Sequence, residues 1–454
     1  MALKLYNTLG RALYTFAPRA GKTVRLYTCG PTVYKSQHIG NYRTFIFEDI
    51  LKRALLLNRY RVRHIMNITD VGHLTSDADE GEDKVEKAAA KEHKTAHTIA
   101  RLYEKEFKED LVAFNIITPA KFVRATEHIK EQVTLIKKLE RKGVTYRTND
   151  GIYFDTSKIS DYGKLAARNI AGIRAGSRVA RGEKKNPTDF ALWKFSRQAG
   201  KRQMEWDSPW GVGFPGWHLE CSAMAMRYLG ETLDIHCGGA DHIQIHHSCE
   251  IAQSEAATGK PFSRFWMHGA LLRVGIAKMA KSSPETNITV ATLREHGFDP
   301  LDFRYLALGT HYRKPLSFSW KALEGAGAAR RRIAQVVVPR AHFNEAKVKK
   351  TLLDAVNDDL NTPRALAVFW DAARDGISKS FALWADHIFG IGVLALLTAN
   401  TKTRIPQDVI ALAEKREALR KEKKWDKADE IRKKIEGLGY RVADSPTSYG
   451  IHKI

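Results

Sequence analysis

Short apolar runs alternate with helix-like segments along the first 120 residues. Residues 24–28 (VRLYT) and 62–67 (VRHIMN) are β-type runs, and the stretch between them, 41–58, reads as a helix. A strand, a helix and a second strand make a βαβ unit, the opening of a doubly wound parallel sheet. Two stretches rich in Ala, Lys, Glu and Leu, 84–114 and 120–143, are predicted to be helical. From residue 143 to 210 the composition shifts to Gly, Asp, Asn, Pro and Trp, with short strands such as 151–154. That segment reads as an insertion between two halves of the sheet domain. A further short strand at 233–236 runs into Cys237-Gly238-Gly239-Ala240-Asp241, and a helix over 246–258 follows. Beyond residue 290 the chain is mainly helical, with a bundle over 321–335 and 345–397. Pro406 marks a boundary before a basic helical stretch and a strand-like end at 437–443.

These patterns predict an α/β protein. A Rossmann-type, doubly wound domain (1–120 and 216–290) is interrupted by an insertion (121–215) and followed by a junction (291–320). A helical bundle (321–400) and a small basic subdomain (405–454) complete the chain. No internal repeat and no low-complexity segment is present.

A chain of 454 residues exceeds what one core supports. Hydrophobic residues make up 43%, and no uninterrupted apolar run is long enough to span a bilayer. The first acidic residue is Glu48, which superficially suggests a transit peptide. The strand-like Leu3-Lys4-Leu5-Tyr6 leaves no room for one, so a cytoplasmic protein is expected. Lys and Arg exceed Asp and Glu by 74 to 51, a net charge of +23 that favours a polyanionic partner such as nucleic acid. Four cysteines (Cys29, Cys221, Cys237 and Cys249) are too few for a disulfide framework. Each stands beside a His, Gly or Glu cluster, which suggests a metal site.

Two short motifs carry phosphate chemistry. His38-Ile39-Gly40-Asn41 follows a strand and a Gly/Pro turn and opens a helix, where free N–H groups and the dipole favour phosphate. Lys278-Met279-Ala280-Lys281-Ser282 sets two ammonium groups three residues apart on a loop, suited to the charge that develops as pyrophosphate leaves. Each alone is a weak signal; their order and separation make the pair informative.

Between them lie Tyr27-Thr28-Cys29-Gly30-Pro31-Thr32-Val33-Tyr34, Gly216-Trp217-His218-Leu219-Glu220-Cys221, His236-Cys237-Gly238-Gly239-Ala240-Asp241 and His246-His247-Ser248-Cys249-Glu250. With these strings the chain resembles the cysteinyl-tRNA synthetase family of class I aminoacyl-tRNA synthetases, essentially from end to end. The resemblance implies one zinc ion held by Cys29, Cys221, His246 and Glu250. The last two are i and i+4 on one helix face, and the donor set suits zinc. It implies that Thr69, Trp217 and His236 surround bound cysteine and that Asp241 holds the ribose, with Gly40, Gly238, Gly239 and Lys281 in the ATP site. Read alone, Trp217 would be a core aromatic, and His247 belongs to a surrounding layer.

The implied reaction activates cysteine with Mg-ATP to cysteinyl-adenylate and passes it to the terminal adenosine of a cysteine tRNA. His38, Asn41, Lys278 and Lys281 would stabilise the phosphates. A zinc–thiolate bond would separate cysteine from serine, which a hydrophobic pocket separates poorly. A monomer is the family expectation.

Several positions depart from the family pattern. Asn41 ends HIGN rather than HIGH, and Ala280 gives KMAKS rather than KMSKS. Phe214 replaces an arginine, Ser248 and Cys249 replace an acid and an amide, and Cys237 replaces a glycine. Both extra thiols are expected near the metal, with Cys249 a possible competitor of Glu250. The basic clusters Arg330-Arg331-Arg332 and 416–424 are placed for phosphates, although each also reads as a solvated helix face. Two rivals remain open here: a ligase joining cysteine to a small amine, as in mycothiol synthesis, and a non-catalytic tRNA-binding paralogue.

Overall fold

The computed structural model describes residues 1–72, 84–167, 183–196, 198, 200, 202–274, 277–278, 287–338, 343–402, 407–422, 424–444 and 449–453. Five parallel strands form its central sheet: β1 (Thr23–Thr28), β2 (Arg61–Ile68), β3 (Lys121–Arg124), β4 (Leu233–Gly239) and β5 (Ser263–Gly269). Their spatial order is β5-β4-β1-β2-β3, so the chain builds outward from β1 to one edge and later returns to fill the other. The crevice between β1 and β4 is therefore the switch point, where such sheets bind ligands at the carboxyl ends of the strands.

The period of two along the strands divides the core into two layers. Met66 and Ile68 face helix α1 (Ile39–Leu57) and helix α2 (Ala96–Ala113), packing with Tyr42, Phe45, Ile46 and Phe107. Tyr27, Ile65, Val123, Leu233 and Trp266 face the opposite way. They meet Cys221 and Met224 of helix α3 (Trp217–Leu229) and Ile251 of helix α4 (His246–Thr258). Helix α1 is buried almost all round, which explains why its apolar residues show little one-sided periodicity.

Two sequence expectations need correction. The stretch 84–114 is two helices, Lys84–Lys91 and Ala96–Ala113; His93 takes a positive φ of 53° between them, and the Thr95 hydroxyl caps the second. Within 120–143, residues 121–124 form edge strand β3 and the helix begins at Ile129. Lys-Phe-Val-Arg is too short and too charged for its pattern to announce a strand. The insertion itself carries a four-stranded antiparallel sheet of Thr145–Arg147, Gly151–Phe154, Phe190–Phe195 and Gly213–Pro215.

The chain divides into two compact units, Met1–Gly392 and Val393–Ile454. In the first, helices Pro300–Leu308, Trp320–Val336, Glu345–Asn357, Thr362–Ala372 and Lys379–Phe389 follow the sheet. Asp49 of α1, fully buried, pairs with Arg53 at 2.7 Å and with the buried Arg304, and accepts from the Ile117 amide at 2.8 Å. Arg304 also donates to the carbonyls of Phe389 and Phe114, which locks α1 to the helical region. In the second unit, helices Gln407–Lys421 and Trp425–Gly437 and the hairpin Tyr440–Asp444/Tyr449–Lys453 enclose Val409, Ala413, Ile431, Ile435 and Val442.

The basic clusters are less available to phosphate than their sequence suggests. Arg330 is buried and donates to Asp302 at 2.8 Å and Asp299 at 2.9 Å, and Arg416 is also buried. Arg331, by contrast, is exposed. Helical periodicity turns alternate members of such runs inward, so a run of arginines is not one surface patch.

Glu48 is a second buried acid of α1, on its sheet-facing side. It is 1% exposed, and neither carboxyl oxygen has a well-formed hydrogen bond; the adjacent Thr28 hydroxyl is engaged with His64 Nε2 at 2.9 Å. Burial pushes its pKa well above the ordinary carboxylate value, opposed only by Thr28. The unfolded chain ionises first, so Glu48 subtracts stability progressively as pH rises above about 4.5, up to its folded pKa. Glu48→Gln is expected to raise the thermal midpoint by a few degrees at mildly alkaline pH and by less near pH 4.5. A thermal-shift series across pH reads this, and a midpoint gain that does not grow with pH would contradict the assignment.

Candidate active site and metal centre

Residues at the carboxyl ends of β1, β2 and β4 and at the start of α1 converge on a cavity of about 160 Å³. Its lining includes Cys29, Gly30, Asn41, Asn67, Thr69, Trp217, Cys221, Gly239, Asp241, His242 and His246. Eight residues expected at the site therefore share one wall system: Cys29, Asn41, Thr69, Trp217, Cys221, Gly239, Asp241 and His246. Gly30 has no alternative, since a Cβ there would stand 1.8 Å from the Asn67 carbonyl oxygen. Gly238 is equally confined, with His242 and His247 ring atoms at 2.6 and 2.8 Å from its would-be Cβ.

The HIGN motif forms the amino terminus of α1. His38 is its N-cap: the Asn41 amide donates to His38 Nδ1 at 3.2 Å, and the His38 amide donates to Asn41 Oδ1 at 3.3 Å. This reciprocal capping box sets the polarity of both side chains. Nδ1 acts as an acceptor, so the neutral imidazole carries its proton on Nε2, and Asn41 keeps its NH2 group for the cavity it lines. Both are donors suited to phosphate. The departure from HIGH thus retains a donor at residue 41, whereas Asn41→Asp would set a carboxylate there. That variant is expected to raise the KM for ATP at least about tenfold, the cost of a lost charge-matched contact. Pyrophosphate exchange at varied ATP measures it, with zinc content as the control.

The second motif is tied to the same helix from both sides. Arg43 of α1 is buried and donates to the carbonyls of Ala270 and Leu271, each at 2.6 Å, and to that of Lys314. The first two carbonyls immediately precede the strand Leu272–Val274, which pairs with Ala277–Lys278. On the far side of the motif, the Ile39 amide donates to the Ile288 carbonyl at 2.8 Å. Both ends of the KMAKS segment are therefore fastened to the helix that carries HIGN. The Lys278 backbone lies in that short strand; Lys281 and residues 279–286 lie outside the described residues.

The metal-ligand candidates form a buried cluster at the β1/α4 end of the cavity. Donor atoms of Cys29, His246, His247 and Glu250 all lie within 4.8 Å of one another. Cys221 stands beside them, hydrogen-bonded to Cys29 and His246. One turn of α4 separates His246 from Glu250, and His246 Nε2 approaches Glu250 Oε1 at 3.1 Å. That oxygen nevertheless lacks an aligned hydrogen bond, as expected of two donors turned toward a shared point. The other oxygen of Glu250 is held by His236 Nε2 at 3.0 Å, and His236 stacks on Trp266.

Charge is distributed within this cluster. Burial alone would raise Glu250, but His236 and His246 overcome it and hold its pKa at about 2. Burial opposes the charged form of His246, yet Glu250 and Cys221 raise it to about 10. The hydrogen bond from Cys29 lowers Cys221 to about 7, against its own burial, while burial and the neighbouring Cys221 drive Cys29 upward. Of the two thiols, Cys29 holds its proton the more firmly and Cys221 is the more readily ionised. Two thiols, an imidazole and a carboxylate in one dry pocket are a donor set that fits zinc.

The structure also sorts the remaining candidates. His236 is fully buried and orients Glu250; it is not among the residues lining the cavity. His247, expected in a surrounding layer, reaches Cys29 Sγ at 3.3 Å and His268 at 2.8 Å, and His268 meets the Thr8 hydroxyl at 2.8 Å. Cys237 and Cys249 adjoin the ligands along the backbone, but, against expectation, their thiols turn away from the metal group. Strand alternation sends His236 toward α4 and Cys237 to the other face, beside Glu48, opposite Thr28 and Met267 in register. Cys249 turns about 100° from Glu250 around the helix and packs with Leu135 and Trp193, its Sγ 3.5 Å from Tyr162 Oη. Phe214 carries the Arg202 guanidinium over its ring at 3.5 Å, so a cation stands beside this position from elsewhere in the chain. His268 lies in no motif, and Glu220, although it lies within the Gly216–Cys221 string, drew no role from it.

Comparison with known proteins agrees with this geometry. Residues 15–328 match the family described as the tRNA synthetases class I (C) catalytic domain. The chain is 48% identical to cysteine–tRNA ligase 1 of Burkholderia lata, over 98% of this chain and 96% of that protein. It is 40% identical to the cysteine–tRNA ligase of Treponema denticola, over 98% of each. Among solved structures, Mycobacterium tuberculosis methionyl-tRNA synthetase in complex with methionyl-adenylate shares the fold, with a TM-score of 0.57 and 16% identity. That alignment covers 83% of this chain and 90% of the other. A parallel-sheet core with its cavity at the switch point, two signature motifs fastened to one helix and full-length identity of this degree lead to one conclusion: the chain belongs to the cysteinyl-tRNA synthetase family of class I tRNA synthetases.

Proposed function

We infer that this chain is a cysteine–tRNA ligase that activates L-cysteine with ATP and transfers it to the terminal adenosine of a cysteine tRNA. The observation that carries the reading is the cluster of Cys29, Cys221, His246 and Glu250, the first three of which line the cavity that the HIGN helix also lines. Cys29, Cys221, His246 and Glu250 would hold a zinc ion. Bound there, zinc would supply a thiolate-selective contact that a serine hydroxyl makes poorly.

The chain's own residues do the rest. Thr69 and Trp217 flank the amino acid; the Trp217 ring lies tilted against that of His246, centroids 4.4 Å apart, which closes the cavity beside the ligands. His236 acts through Glu250, which it orients. Asp241 receives the ribose hydroxyls, and Gly40, Gly238 and Gly239 let the nucleotide approach the backbone. His38 Nε2 and the Asn41 amide donate to the phosphates of Mg-ATP at the positive end of α1. Lys278 and Lys281 offset the charge that builds as pyrophosphate departs. Orientation and electrostatics suffice, with no covalent enzyme intermediate. The basic helical region from 321 onward, including exposed Arg331, supports the tRNA.

The reading places the enzyme in the cytoplasm and expects a monomer. No helix among the described residues is long and apolar enough to cross a membrane. Cysteine-dependent exchange of pyrophosphate into ATP tests the activation half directly. Exchange with cysteine and with no other amino acid is expected, and exchange driven by methionine or by none would overturn the reading.

A further inference from the structure

Beneath the cavity runs a chain of hydrogen bonds whose direction can be read atom by atom. The Gly30 amide donates to Asn67 Oδ1 at 2.8 Å. A backbone amide can only donate, so that oxygen is the acceptor, and the Asn67 NH2 group must face the other way. It donates to Thr69 Oγ1 at 3.0 Å. Thr69 Oγ1 in turn lies 3.2 Å from Glu220 Oε2, and a carboxylate only accepts, so the hydroxyl proton points at Glu220. A hydroxyl has one proton and two lone pairs. With its proton given to Glu220 and one lone pair taken by Asn67, Thr69 presents the cavity with a lone pair alone.

Thr69, Asn67 and Gly30 line the cavity, and Glu220 lies behind them, fully buried on α3. Thr69 itself is held at both backbone groups, its amide donating to Pro31 and its carbonyl accepting from Val33. The hydroxyl therefore cannot rotate or shift to reverse its polarity without breaking the chain. An acceptor backed by a buried carboxylate matches a cation and disfavours a neutral or anionic group in its place.

We propose that Glu220 and Asn67 are positioning residues that fix the Thr69 hydroxyl as a hydrogen-bond acceptor for the α-ammonium group of the amino acid. The assignment rests on the reading of this cavity as the cysteine pocket. It adds a second recognition element to the metal: the ligand cluster selects the thiol, and the Gly30–Asn67–Thr69–Glu220 chain selects the ammonium. A thiol compound without an α-ammonium would satisfy the first and leave the second without a donor.

Three thiols separate these contributions in the zinc-loaded, full-length protein. L-Cysteine carries thiol, ammonium and carboxylate; cysteamine lacks the carboxylate; 3-mercaptopropionate lacks the ammonium. Calorimetric titration of wild type, Glu220→Gln, Thr69→Val and Thr69→Ser with each gives the test. Glu220→Gln and Thr69→Val are expected to bind cysteine and cysteamine about tenfold more weakly and 3-mercaptopropionate unchanged. Thr69→Ser is expected to keep the wild-type order, and zinc content and the KM for ATP are expected to stay constant in all. Equal weakening toward all three thiols, or none toward the ammonium-bearing pair, overturns the assignment. A wild-type protein that binds none of the three overturns the pocket reading itself, and this assignment with it.

Discussion

Cys221→Ser is expected to lower zinc occupancy and to cut cysteine-dependent pyrophosphate exchange by more than about a hundredfold, the upper end of what losing an outer-shell partner costs. The thiol of Cys221 is the more readily ionised of the pair, at about 7, and it receives hydrogen bonds from Cys29 and His246. Serine keeps the shape and removes the soft ligand. His247→Gln is the informative comparison, because His247 also brings a nitrogen into the donor group. His247 Nδ1 is engaged by His268 at 2.8 Å, which suits a residue that orients Cys29 better than one that binds the ion. Zinc per chain by atomic absorption should therefore fall steeply in Cys221→Ser and only modestly in His247→Gln. The reverse order would move the fourth ligand from Cys221 to His247.

The second large effect is on stability. Asp49→Ala is expected to destabilise the Met1–Gly392 unit by about 3–5 kcal/mol, because it strands two buried guanidiniums, Arg53 and Arg304, without a counter-charge. Arg53 and Arg304 hold Asp49 below the ordinary carboxylate range against strong desolvation, so the charge is present in the folded state. The site depends on this network through α1, which carries both HIGN and the Arg43 clamp on the approach to KMAKS. A large downward shift of the thermal midpoint measures the loss. A shift of less than a degree or two would mean that the two arginines find other partners.

Much of this architecture was legible in the chain. The runs at 24–28 and 62–67 became β1 and β2, and the helix expected over 41–58 is Ile39–Leu57. Long elements with strong local patterns declare themselves in this way. Strand β3 did not, because four residues ending in Lys and Arg at an edge bury too little to leave a pattern.

At the site, residues that act through local spacing were readable. His246 and Glu250 are one turn apart, and His38 with Asn41 caps a helix. Residues that act across the fold left no local trace. His268 of β5 meets His247 of α4, and Glu220, visible only as one letter of the Gly216–Cys221 string, meets Thr69 across 151 residues of chain. The directions of Cys237 and Cys249 were a different failure, since periodicity could have given both. With His236 and Glu250 facing the cluster, a period of two and a turn of 100° place their neighbours elsewhere.

The most direct test of the account is charging of a cysteine tRNA transcript by the purified protein at a counted zinc content, with serine as competitor. The account predicts cysteinyl-tRNA in proportion to zinc, near one ion per chain at full activity, and no seryl-tRNA. Cysteine activation without charging, or charging that is indifferent to zinc, would contradict it.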